Sequence, residues 1–120
     1  MGFETADEGT KSADGTEQTL IDFSDVARLS GYISLSEMQA GDTVVIRQYA
    51  KLFSTYDKYA EQSYSDAQDD PVVYITPKEI CSALKVTVQQ TAGTMRDYEY
   101  KFIKDTATIT IKVGGASFRV

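Results

Sequence analysis

The sequence predicts an all-β chain, an antiparallel β-sandwich of jelly-roll-like kind, built as a single domain of about eight strands with extended N- and C-terminal arms. Three observations carry this. Apolar and polar residues alternate in Leu29, Gly31, Ile33, Leu35; in Leu84, Val86, Val88; in Tyr98, Tyr100, Phe102; and in Ile109, Ile111, Val113. A period of two marks a half-buried strand. Turn residues recur roughly every 8–12 positions, the spacing of sandwiches and jelly rolls. No amphipathic helix of useful length is visible, and at 120 residues with 42% hydrophobic content the chain suits one core.

The leader, residues 1–15, is polar and acidic with one large apolar residue, Phe3. Alone it would be called disordered. It therefore reads as an arm that lies across its own domain or across a neighbouring subunit, with Phe3 as anchor. From Thr16 the chain turns strand-like, over Thr16–Phe23 and then Arg28–Ser36. Met38–Asp42 is a turn in which Gly41 supplies positive φ. It leads into the longest strand, Thr43–Phe53, with Val44, Ile46, Ala50 and Leu52 on one face with Gln48, and Val45, Arg47, Tyr49, Lys51 and Phe53 on the other. Ser54–Lys58 turns the chain into Tyr59–Ser65, a hairpin. Asp66–Asp70 is a polar loop ended by Pro71, and Val72–Thr76 is a short strand closed by Pro77, which cannot donate to a ladder. Lys78–Ala83 has room for one helical turn. Leu84–Gln90 and Asp97–Lys104 read as a second hairpin over Thr91–Thr94. Thr106–Val113 is a last strand, set off by Gly114-Gly115 from an apolar tail, Ala116–Val120. Shared parity predicts burial of Ile33, Leu35, Val44, Ile46, Val86, Val88, Tyr100 and Phe102. The domain proper is taken as 16–104, with 1–15 as an acidic arm and 105–120 as a C-terminal strand or arm.

Charge and composition exclude several functions. The net charge is −6, of which residues 1–18 carry −4 through five acids against Lys11. A near-neutral body with an acidic leader lacks the basic patch that phosphate neutralisation needs, so no nucleic-acid partner is expected. No stretch approaches the roughly 18–20 apolar residues of a membrane span, and no apolar export segment is visible, so no membrane partner is expected. There is no His, no Trp and no Asn, and Cys81 stands alone. Neither an internal disulfide nor N-glycosylation can form. Cys81 reads as a small residue in a connection, because the commonest base that activates a thiol is missing.

Catalytic raw material is confined to carboxylates. Asp66, Asp69 and Asp70 cluster before Pro71; this reads as a solvated acidic turn, with a weak calcium site as the alternative, since the order of an EF-hand loop is absent. Glu61, Asp97 and Glu99 could serve a glycosidase pair only if two were held at a fixed separation. No catalytic residue, metal or cofactor is expected. Eight tyrosines are more distinctive, since a large apolar body with a polar tip suits interfaces. Tyr49 lies on the long strand beside Arg47 and Lys51, and Tyr56 and Tyr59 flank a turn. Together with Phe3, Phe118 and Val120 they are the expected partner-binding residues.

The pieces Gly15–Leu20, Met38–Arg47 and Val88–Thr94 lie in the expected hairpins. Through them residues 15–104 resemble small β-sandwich structural proteins of tailed bacterial and archaeal viruses and proviruses. The resemblance implies a virion role: a decoration, or cement, protein on the capsid exterior, made in the host cytoplasm. Its partners would be the major capsid protein and copies of itself, with a trimer at lattice three-folds as one arrangement. A carbohydrate-binding or adhesion sandwich is the alternative, and it predicts an exposed aromatic row and a bound cation near Asp66–Asp70.

Overall fold

Strands form most readily where one side of the backbone meets apolar neighbours and the other meets water, a pattern that Arg28–Ser34, Ala83–Ala92 and Asp97–Asp105 show. A computed structural model describes the backbone of residues 3–24, 27–79, 82–105, 110–113 and 116–119, and the side chains of 4–24, 27–77 and 82–105. The strands are β1 (Phe3–Ser12), β2 (Gln18–Phe23), β3 (Arg28–Ser34), β4 (Thr43–Lys51), β5 (Tyr56–Ser65), β6 (Val72–Glu79), β7 (Ala83–Ala92), β8 (Asp97–Asp105), β9 (Thr110–Val113) and β10 (Ala116–Arg119). No helix occurs among the described residues.

Two four-stranded antiparallel sheets have the orders β1-β8-β3-β6 and β2-β7-β4-β5. We call them the first and second sheet. Strand one pairs with eight, two with seven, three with six and four with five. The chain is thus one long hairpin rolled up, which is the jelly-roll order. Among the described residues β9 and β10 form a separate two-stranded sheet.

The core lies between the sheets. Leu29, Ile33 and Leu35 face Val44, Ile46, Val86 and Val88, with Tyr98 and Phe102 from β8 filling the middle. Gly31 interrupts the β3 row for a steric reason: a Cβ there would sit 2.4 Å from the Phe102 ring. Seven of the eight residues expected in the core are buried. Tyr100 is only half-buried, because its edge-strand neighbour is Gly9, which has no side chain to cover the ring. Leu20, a bulge residue of β2, and Met38, in the turn before β4, join the core without a parity signal.

Four expectations change. Residues 3–12 are an edge strand on β8, so the leader takes the first of its two alternatives and lies on its own domain. Glu4 and Glu8 approach Lys104 and Lys101 at 3.8 and 3.5 Å across that pairing, so charge pairs and a backbone ladder hold a strand that hydrophobicity does not announce. β6 runs past Pro77 to Glu79, and the register slips opposite Ser30, so the proline sits in a bulge on an edge strand where no ladder donor is needed. That strand takes up the start of the expected helical turn. Finally, β7 and β8 are no hairpin. β7 pairs with β2 and β4 while β8 pairs with β1 and β3, so residues 93–96 cross from one sheet to the other.

The crossing is held by a buried polar clamp. Asp42, 1% exposed, accepts from the Gln39 amide at 2.9 Å, the Thr94 amide at 3.0 Å and Arg96 Nε at 2.8 Å. Gly93 lies in the left-handed region at φ 88°, and a Cβ there would be 2.0 Å from an Asp42 oxygen. Gln90, also 1% exposed, donates to the Ala92 and Thr94 carbonyls and accepts from the Arg96 amide and the Tyr98 hydroxyl. No buried side-chain polar atom among the described residues lacks a partner.

Two measurements check this frame. Val86 is fully buried, so Val86→Asp is expected to cost about 3–5 kcal/mol by burying an unpaired charge. A melting temperature within a degree or two of wild type, by roughly the usual size scaling, would show the register to be wrong. Hydrogen bonds from the Gln39 amide and then from Arg96 hold the Asp42 carboxyl below its ordinary 3.8. A lowered folded value gives stability that is present above 3.8 and lost as pH falls through the folded value. Asp42→Asn should therefore melt well below wild type at neutral pH, with the gap closing in acid. A gap that stays constant across a pH series of thermal melts would refute the charge-based account.

Candidate functional site

The outward faces of the two sheets differ in how far their polar groups are already used. On the second sheet, register brings Arg47 beside Thr87 and Glu61, and Tyr49 beside Lys85 and Lys58. Arg47 Nε donates to Glu61 at 2.7 Å and its Nη1 to Gln89 at 2.8 Å. Lys58 reaches the same Glu61 oxygen at 2.9 Å. A β-bulge at Tyr59 makes this possible, since the extra residue puts both Lys58 and Glu61 on the outer face. Lys58 and then Arg47 hold the Glu61 carboxyl below its usual range.

Glu17 sits over β7 and accepts from Thr87 and Tyr49, each at 2.5 Å. Burial opposes its charge, but those two hydroxyls and Arg47 outweigh it and hold the carboxyl low. Lys85 lies 4.8 Å from the Tyr49 ring centre and 4.6 Å from that of Tyr56, whose hydroxyl donates to Asp22. Lys51 covers Tyr56 as well, at 4.8 Å. Cations over phenol faces and carboxylates on their hydroxyls stiffen this face.

Of the expected partner-binding residues, Tyr49 and Tyr56 are brought together here. Both are drawn into the network and half-buried, so neither is a bare anchor. Tyr59 points the other way, 45% exposed, and donates to Gln48 at 2.8 Å. Val120 lies outside the described residues, as do the side chains of Phe3 and Phe118, and Cys81 lies outside them too. Sequence reasoning missed the most exposed large apolar group among the described residues. The β4–β5 connection, residues 52–55, carries Phe53 at 91% exposure and Leu52 at 57%. The signal was available, since parity had placed both residues in a strand, and a hairpin tip two residues earlier would have freed them.

The first sheet's outer face carries a groove of about 490 Å³ bordered by Tyr32, Val72 and Lys101, with Tyr74 just outside it against the Tyr32 ring. Glu99 lies on this face and Glu61 on the outer face of the opposite sheet, so the two do not meet as a catalytic pair. Asp66, with φ 66°, spends its carboxylate on the Gly41 amide at 2.8 Å. Among the described residues no three Asp, Glu or Cys side chains gather as a metal site. Fold and faces together define a jelly-roll sandwich with one self-paired face, one grooved face and a bare apolar tip. Comparison with protein-family models, with curated proteins and with solved structures finds no match.

Two phenols should ionise late. Burial, and then Asp22, push Tyr56 up to about 12, and burial pushes Tyr98 up to about 12. A raised folded value means that stability is fully present below the ordinary 10.0 and is lost as pH rises through about 12. Phenolate absorbance should lose one of its latest groups in Tyr56→Phe and another in Tyr98→Phe. At neutral pH Tyr98→Phe should cost about 1 kcal/mol through the lost bond to Gln90, and its alkaline decline should be shallower than wild type. An identical decline would contradict the assignment.

Proposed function

We propose that this protein is a structural component of a virion, of the capsid-decoration type, which binds the major capsid protein and further copies of itself on the capsid exterior. The observation that carries the reading is the hairpin tip. Phe53 and Leu52 stand exposed at the end of the β4–β5 hairpin of a jelly roll, beyond a sheet face on which Arg47, Lys58 and Glu61 pair with one another. A bare aromatic residue at a hairpin tip is an anchor in search of a pocket, and burying each such side chain is worth about 1.5–3 kcal/mol. The jelly-roll order recurs in viral capsid domains and in lectins, a fold-level analogy that leaves function to the site. The pair β9–β10, a separate sheet among the described residues, offers a second means of attachment through its strand edges. Binding by apolar anchor and added strands needs no reactive side chain, which suits a chain without His.

The test is co-sedimentation with particles assembled from the major capsid protein of the same viral genome. Wild type is expected to sediment with them, and a Leu52→Ser/Phe53→Ser double variant to lose attachment by about tenfold or more. The variant should melt within about 0.5 kcal/mol of wild type, because both residues are exposed. Full attachment by the variant would remove the tip as anchor, and no attachment by wild type would remove the reading itself.

A further inference from the structure

The grooved face has a composition that the paired face lacks. Register lays two parallel rows of side chains across the four strands of the first sheet. One row runs Glu8, Lys101, Tyr32, Tyr74 from β1 to β6. The next carries Thr10 opposite Glu99 and Ser34 opposite Val72. The groove lies over both rows, with Gly9 and Tyr100 between them.

The geometry points to a binding site for a neutral oligosaccharide in this groove. Tyr32 and Tyr74 are about half exposed, with ring centres 5.0 Å apart and planes tilted by 33°, so they present an apolar aromatic surface in a fixed pose. The C–H face of a pyranose packs on such a surface. Sugar hydroxyls need hydrogen-bonding groups beside it that the protein has not already used. Among the described residues the Glu99 carboxylate and the Thr10 hydroxyl have no hydrogen bond or ion pair, and neither have the two tyrosine hydroxyls. They stand as acceptor and donors along one wall and floor.

Charge selects against acidic sugars. The groove holds Glu8 and Glu99 against Lys101, and Lys101 is partly engaged by Glu8 at 3.5 Å. A volume of about 490 Å³ falls within the roughly 300–1,000 Å³ of small-molecule sites. All of these groups stand on strands, so the site is preorganised. It also faces away from the second sheet, so a partner held against that sheet would leave the groove open.

The test is an NMR titration of the full chain with cellotriose, maltotriose and chitotriose as neutral probes and trigalacturonate as the acidic one. At least one neutral trisaccharide should shift the amides of Thr10, Tyr32, Ser34 and Glu99. Tyr74→Ala, on an edge strand, should weaken that binding by about tenfold, and the exposed Glu99→Ala should weaken it independently. Trigalacturonate should leave these amides unmoved. The proposal is overturned if no neutral trisaccharide shifts them, if both variants bind as wild type does, or if trigalacturonate binds equally well.

Discussion

The fold depends on one polar constraint, the clamp in which Asp42 and Gln90 hold the passage from β7 to β8. In a jelly roll the last strand must leave the sheet of its predecessor and insert between β1 and β3 of the opposite sheet. A short connection making that move exposes backbone donors and acceptors near the core, where leaving each unpaired costs about 1–3 kcal/mol. Here the Thr94 amide goes to Asp42 and the Thr94 and Ala92 carbonyls to Gln90, while Arg96 bonds to both. The Gln90 carbonyl also takes the Tyr98 hydroxyl at 2.8 Å, so the clamp fixes the largest buried side chain at the start of β8. Glycine at position 93 is what lets the Asp42 carboxylate come so close.

From that crossing follows the division of the surface. β8 inserted between β1 and β3 sets Glu99 and Lys101 in line with Tyr32 and the leader's Glu8 and Thr10, and the groove exists only because of that insertion. The second sheet, kept free of β8, pairs β7 with β2 and β4 and gathers Glu17, Arg47, Tyr49 and Lys85 into one connected network. One face is closed by its own charges, and the other carries the groove.

Much of this fold was legible beforehand, for a plain reason. Alternation in β3, β7 and β8 reports which side of a strand meets the core, and Ile33, Val86 and Phe102 lie where parity puts them. The β4–β5 hairpin was legible because Thr43–Lys51 is a continuous strand followed closely by turn residues. β1 was not, since its strand character comes from the β8 ladder and from cross-strand lysines rather than from its own hydrophobicity. The bulges at Leu20 and Tyr59 shift parity by one residue, and no local pattern announces an extra residue. The Gly93 turn was misread for a related reason: a hairpin and a sheet crossing of the same length carry the same glycine signal.

The amino-acid sequence by itself determined the all-β class, the single core and most of the residues that fill it, because burial on one face of a strand is a local, periodic property. It also set the chemical repertoire, with carboxylates, tyrosines and lysines and no histidine. Only the tertiary structure decided which strands are neighbours, and with that whether a given tyrosine is an anchor, a network member or a platform. Tyr49 and Tyr74 are both strand tyrosines on outward faces. One meets Glu17 and Lys85, and the other meets Tyr32 and solvent. Partners of that kind lie tens of residues apart along the chain, so their meeting depends on strand order and register, which are properties of the whole fold.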